Sequence, residues 1–412
     1  MGFNPLEEKG ISIDKQIRGW SELNSKPYDK DAIHPYTRSR IILMNGIEVE
    51  SAMFLHQFAR NCNDAELKRH IAMTRRVEQQ QQKVINWLSP ANETQIETTI
   101  GYEQVAVDLT AWLAKTEPDK YVKQALDFAL LEDFDHLYRY ANLLDMDKGI
   151  KAEKLVGEYT EIMPGRPTIA EHRHPFDSIR RPFDKNTADI LTKLHVLTIV
   201  AGEQQTMNFY MNVGNTYDTI LGRALYAEIG MIEEQHVSHY ESLADPTTTW
   251  FENLVMHEYN ECYLYYSFYE QETDPRMKKI WEQHLMMEIE HLKIADQIIQ
   301  KYENKKAQDI LPKEFPELLV FQSNKDYVRE VLANQVNLSA DLDEYVDVSK
   351  LDKSHRFHSY QKAVNSEPVP SSEVIRQHIN TSQQDYRFES EGENPIKALQ
   401  DRKSVDEDVA RK

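Results

Sequence analysis

Cysteine is nearly missing from this 412-residue chain, which has only Cys62 and Cys262. Two thiols so far apart make neither a disulfide framework nor a zinc ribbon, and a rubredoxin-type iron–thiolate domain would need two CxxC pairs. The shortage suits a reducing compartment. Glycine and proline are also few, 13 and 16 residues, which disfavours a turn-rich all-β architecture. Long apolar runs are lacking: the most apolar stretch, HVLTIVAG (His195–Gly202), falls far short of the ~20 residues a membrane-spanning helix needs. The N-terminal MGFNPLEEKGISIDKQ has no signal core. Basic residues are outnumbered, 48 Lys and Arg against 68 Asp and Glu, for a net charge of −20. A polyanion is repelled by nucleic acid and by anionic membranes, so neither is expected as a partner. These absences predict a soluble cytoplasmic protein.

What is present points to helix. Runs of Glu, Gln, Lys, Leu, Ala and Met are strong helix formers, so an all-α fold is predicted, with length enough for two or three cores.

Within that composition, MMEIEHLKIAD (Met286–Asp296) sets Glu288 and His291 on one face of an otherwise apolar helical run. Either the face is solvated or a cation lies between the side chains, since burying two bare ionisable groups costs several kcal/mol. One copy does not decide. The pattern recurs, however, as Glu233 with His236, Asp133 with His136, and, more weakly, Glu78 with Gln81. Thirty residues before each leading acid stands another: Glu258, Glu203, Glu103 and Glu48. These four are offset by 55 within each half of the chain, and the halves are displaced by 155. This looks like duplication of a unit that was itself two hairpins.

Fourteen residues before each second acid is a helix N-cap former: Asp64, Asp119, Thr219 or Asp274, the last followed by Pro275. Asn63 with Glu66 suggests a capping box, and Glu117-Pro118 and Gly214-Asn215 are helix breakers. Each unit therefore reads as helix, turn, helix. The first acid lies roughly 24 Å before the cap and the second roughly 21 Å after it, at 1.5 Å per residue, so the two end level across an antiparallel pair.

Two such hairpins packed together gather four carboxylates and two imidazoles at one height, the ligand set of a dimetal carboxylate site. Hard oxygen donors with imidazole suit two Fe or two Mn ions. In this spacing the chain resembles the ferritin-like di-iron carboxylate superfamily over roughly residues 41–145 and 188–303. The resemblance implies two ferritin-like four-helix bundles in tandem. The second would hold an intact site of Glu203, Glu233, His236, Glu258, Glu288 and His291, with Glu233 and Glu288 bridging, Glu203 and Glu258 as outer carboxylates, and one metal on each histidine. The first offers Glu48, Glu78, Gln81, Glu103, Asp133 and His136. It departs from the pattern at Gln81, a weak neutral ligand, and at Asp133, one methylene short, so weaker or single-ion binding is predicted there.

Other residues on these faces have blander readings. His239 and Glu261, one turn beyond His236 and Glu258, read first as surface or supporting groups and only second as extra ligands or proton carriers. Tyr210 and Tyr265 read as core, with a hydrogen-bonding or redox role beside a metal as the alternative. Glu234 and Glu290 fall about 100° around their helices and read as solvated.

The remainder divides into an N-terminal arm (1–40), a Pro-, Arg- and His-rich strap (146–187) and a C-terminal extension (304–412). In the strap Phe176 and Phe183 read as packing residues, and His172 and His174 have no matching acids. NKDYVREVLANQVNLS and SSEVIRQHINTS each suit a helix, and the polar tail from Tyr386 reads as disordered or as ordering only against a partner.

The function this predicts is a di-iron or Fe/Mn oxidoreductase, or a ferroxidase-like protein, acting with O2 or peroxide on a small molecule. With no redox domain or GxGxxG fingerprint in the chain, an external electron donor is implied. The alternative is a non-catalytic metal-binding, storage or scaffold protein. Self-association into a homo-oligomer is left open.

Overall fold

The computed structural model describes residues 2–383 and Tyr386. Its architecture is helical, as predicted, and eight long helices follow one another as four helix–turn–helix pairs. They are α1 (Pro35–Asn61) with α2 (Ala65–Asn86), α3 (Gln95–Thr116) with α4 (Lys120–Lys148), α5 (Ile190–Val213) with α6 (Ile220–Glu241), and α7 (Trp250–Gln271) with α8 (Pro275–Glu303). All four second helices start at the predicted caps. Asp64 accepts from Leu67 N, Asp119 from Tyr121 N and Val122 N, Thr219 from Gly222 N, and Asp274 from Arg276 N and Met277 N. The Asn63–Glu66 box does not form, because Asp64 is itself the cap. Capping boxes stand instead at Thr94–Glu97 and Thr249–Glu252, opening α3 and α7. No helix among the described residues is long and apolar enough to cross a membrane.

The partnership of the hairpins departs from expectation. The chain divides into two compact units, one of residues 1–92, 183–202 and 244–321, the other of 93–182, 203–243 and 322–412. The first unit thus joins α1–α2 to α7–α8, and the second joins α3–α4 to α6 and the part of α5 from Glu203 onward. A bundle over 41–145 and another over 188–303 are both corrected by this division: each unit takes one hairpin from each half of the sequence. The 30-residue spacing levels two acids within a hairpin but carries no information about which hairpin faces which.

Two irregular segments pack closely on the long helices. In the first unit, the arm before α1 runs along α8: Ile11 N donates to Met286 O at 2.7 Å, and a Cβ on Gly10 would lie 2.7 Å from Glu290 N. In the second, the strap crosses α4, with Arg166 N donating to Leu131 O at 3.2 Å. A Cβ on Gly165 would lie 2.7 Å from Leu131 O, so only glycine allows that approach. The strap faces the protein with charged residues rather than with Phe176, which is 65% exposed; Phe183 is half-buried. Helix α1 begins at Pro35, earlier than the predicted boundary at 41, with His34 as its cap.

Beyond residue 321, helices α9 (Lys325–Gln335), α10 (Arg356–Val364) and α11 (Pro370–Ser382) belong to the second unit. Two of these match the predicted segments. A short antiparallel hairpin of β1 (Leu338–Asp341) and β2 (Glu344–Asp347), paired Leu338↔Asp347 to Asp341↔Glu344, was not anticipated. The predicted disordered tail, Tyr386 apart, lies outside the described residues.

Candidate metal centres

In the second unit six of the predicted donors come together, three from each of the two predicted sets. Asp133, Glu203, Glu233 and His236 each place a donor atom within 4.8 Å of the others, and Glu103, His136 and Glu233 form an adjoining group. His236 Nδ1 lies 3.2 Å from Asp133 Oδ1 and 3.4 Å from both Glu203 and Glu233, while His136 Nδ1 is 3.0 Å from Glu233 Oε1. Glu233 belongs to both groups, the position of a bridge. Its predicted partner bridge, Glu288, lies in the other unit, and Asp133 faces Glu233 instead.

Each imidazole is oriented from behind. His236 Nε2 meets Glu132 Oε2 at 2.8 Å, and His136 Nε2 meets Glu171 Oε2 at 2.9 Å. With Nε2 held this way, Nδ1 is left facing the carboxylates, the arrangement that fixes a metal-ligating histidine. Glu132 in turn accepts from Arg173 at 2.6 and 2.8 Å and from Arg166 at 2.9 Å. Glu171, Arg166 and Arg173 all come from the strap, and Arg173 N also donates to Gln235 Oε1 of α6 at 2.8 Å, so the strap ties α4 to α6.

The first unit holds the remaining donors of both predicted sets. Glu78, Glu258, Glu288 and His291 form one group, and Glu48, Glu78, Glu261 and Glu288 a second, with Glu78 and Glu288 common to both. His291 Nδ1 is 2.8 Å from Glu78 and 2.9 Å from Glu288, and its Nε2 is held by Gln16 Oε1 at 2.7 Å. Gln81 stands where a second histidine was expected, donating its amide to Glu288 and, at 3.5 Å, to Glu48. Glu261, read from sequence as a supporting or surface group, is fully inside the cluster.

The predicted six-ligand set of the second half is therefore split: Glu203, Glu233 and His236 lie in one unit, and Glu258, Glu288 and His291 in the other. The first-half residues divide likewise. Gln81 and Asp133, expected to weaken one site together, are instead one departure per unit.

The electrostatics are those of buried donors facing one another. Burial pushes the carboxyls of Glu48, Glu103, Glu203, Glu258 and Glu261 well above the ordinary range, reinforced by neighbouring carboxylates. Burial also raises Glu233, but hydrogen bonds from His136 and His236 outweigh it and hold this carboxyl at about 2. Burial lowers His236, yet the facing Glu203 and Asp133 raise it overall. Glu48 Oε2, Glu103 Oε2, Glu203 Oε1 and both oxygens of Glu261 have no hydrogen-bond partner among the described residues. Buried carboxylate oxygens are nearly always satisfied, and each orphan costs about 1–3 kcal/mol or more when charged.

Tyr210 and Tyr265 both reach the clusters, their hydroxyls bonding Glu103 and Glu48 respectively. Tyr265 also meets His284 Nδ1 at 3.0 Å. His239 does not join: its Nε2 lies 3.3 Å from Ala125 O and its ring stacks on Phe128. Glu234 is exposed, as predicted. Sequence reasoning missed Glu132, Glu171 and Gln16. Glu132 had one signal, adjacency to Asp133, while Glu171 and Gln16 lie in irregular segments where no period operates. Two cavities, of ≈540 Å³ beside the outward face of α6 and ≈750 Å³ beside Lys193 and Met256, are lined by none of these donors.

Comparison with protein-family models, curated proteins and solved structures gave no match in any of the three.

Proposed function

We propose that the protein is a dimetal-carboxylate oxidoreductase of ferritin-like architecture, with one centre in each unit, acting with O2 or peroxide and drawing electrons from a separate donor. The observation that carries this reading is the second unit's donor set. Four carboxylates and two imidazoles converge, both Nδ1 atoms face inward, both Nε2 atoms are engaged by glutamates, and inward oxygens are left without partners. A purely structural polar core would be expected to satisfy those oxygens internally. Four negative charges match two divalent cations, so the donors present fit a metal pair.

Glu103, Asp133, His136, Glu203, Glu233 and His236 would hold the ions in the second unit, and Glu78, Glu258, Glu288 and His291 one ion in the first. Bound there, iron or manganese would supply Lewis acidity and redox equivalents toward an oxygen-derived oxidant. The chain's own contribution is positional. Glu132 and Glu171 fix the tautomers of His236 and His136, and Tyr210 donates a hydrogen bond to Glu103. Full burial keeps bulk water away. That dry surrounding strengthens each electrostatic contact inside.

The test is anaerobic addition of Fe(II) to metal-free protein, followed by air or peroxide, monitored by absorbance and by consumption of oxidant. Rapid oxidation with repeated turnover when a reductant is supplied supports the enzyme. Bound iron that stays inert to both oxidants would refute catalysis and leave a metal-holding protein.

A further inference from the structure

We propose that Glu261 supplies the ligand that Gln81 cannot, giving the first unit a second ion position made wholly of oxygen donors and suited to manganese(II). The inference rests on the dimetal reading above and adds to it a specific residue and a metal preference.

The four repeats provide the comparison. One turn after the leading acid stand Ser51 after Glu48, Ala106 after Glu103, Thr206 after Glu203 and Glu261 after Glu258. Three of the four carry a small residue at this position. The single carboxylate falls in the unit that also contains Gln81, the single repeat lacking an acid-x-x-His or Glu-x-x-His pair. In the second unit each ion position has its own imidazole, from His136 and His236. The first unit has only His291.

Geometry places Glu261 where the missing donor is needed. An oxygen of each of Glu48, Glu78, Glu261 and Glu288 lies within 4.8 Å of the other three, and Glu78 and Glu288 are shared with the His291 group. The Glu261 side chain is 1% exposed, and both its oxygens lack a hydrogen-bond partner. Gln81 directs its amide nitrogen at Glu48 and Glu288, a hydrogen-bond donor to two of these carboxylates where the other unit has an imidazole.

Charge agrees. Five carboxylates meet in this unit, one more than two divalent ions neutralise. Arg18 brings the balancing guanidinium, lying within electrostatic reach of Glu48 and Glu288, with Nη1 3.3 Å from His284 Nε2. A position formed by four carboxylates lacks the nitrogen and sulfur donors that give cobalt, zinc and copper their largest advantage, and suits the hard ions magnesium, calcium and manganese. Of these, manganese also serves the redox reading.

The experiment uses metal-free full-length protein titrated with Mn2+ alone, free ion being read from its electron paramagnetic resonance signal, and separately with Co2+ by visible absorption. Wild type should take up about four Mn2+ per chain, two per centre, and Glu261→Gln about three, with the loss confined to one ion. Gln81→His should add nitrogen to the same position and shift its preference from Mn2+ toward Co2+, a gain of function that a misfolded variant would not show. Equal uptake by wild type and Glu261→Gln, with no Co2+ shift in Gln81→His, would overturn the proposal while leaving the dimetal reading intact. Wild type that binds neither ion would overturn both.

Discussion

Replacing Glu132 by Gln keeps the side chain's shape and removes its charge. Glu132 is fully buried and accepts from Arg173, Arg166 and His236 at 2.6–2.9 Å. Its loss would leave two buried guanidinium groups facing a neutral amide, and breaking a buried ion pair from one side typically costs ~3–5 kcal/mol. Glu171 remains near Arg166 but is occupied by His136, so the lower part of that range is expected. A second effect is local: His236 Nε2 faces an amide in place of a carboxylate, and loss of such a support weakens metal binding about 10–100-fold, or ~1.4–2.7 kcal/mol. Urea unfolding of metal-free protein measures the first effect and metal titration the second. Burial raises the Glu132 carboxyl, but Arg173, His236 and Arg166 outweigh it and hold it far below the ordinary range. Its stabilisation is therefore present above the ordinary carboxyl value of ~4.3 and fades as pH falls below it, so the two proteins should converge in acid. A loss under ~1 kcal/mol, the worth of a surface pair, with unchanged metal affinity would refute the network's role.

Other consequences follow from the same contacts. Metal-free protein should lose stability as pH rises from about 5 to 8. Burial raises the carboxyls of Glu48, Glu103 and Glu203, and facing carboxylates raise His136, His236 and His291 against the pull of burial, so the folded state binds more protons than the unfolded one. Added metal should flatten that slope, and unfolding curves with and without chelator would reveal a slope of the wrong sign. Gln16→Ala removes the acceptor behind His291 and should weaken metal binding about 10-fold or more in the first unit alone; equal weakening of both centres by calorimetry would contradict the assignment. Gly165→Ala puts a Cβ 2.7 Å from Leu131 O and should displace the strap, lowering stability by roughly 1–3 kcal/mol. A thermal melt identical to wild type would count against the close crossing.

The sequence was most informative within hairpins. Four caps and four turns followed from local hydrogen bonding and 1.5 Å per residue, and these lie where spacing put them because both act over a few residues. The levelling of Glu78 with Glu48, and of Glu288 with Glu258, was legible for the same reason. The facing of hairpins was not. Each presents a similar charged stripe, so pairing adjacent hairpins was the natural assumption, and the contacts between the hairpins that do pair, such as His236 with Glu132 and Gln81 with Glu288, join residues far apart in sequence. Glu261 was visible on the ligand face, but the burial that makes it a donor depends on α1 and α2, nearly two hundred residues away.

The most direct measurement is anomalous diffraction at the iron or manganese edge from crystals of metal-loaded protein. The account predicts one pair of peaks bounded by Glu103, Asp133, His136, Glu203, Glu233 and His236, and separate density among Glu78, Glu258, Glu288 and His291. Peaks outside both donor sets, or one ion bound jointly by Glu203 and Glu258, would contradict it.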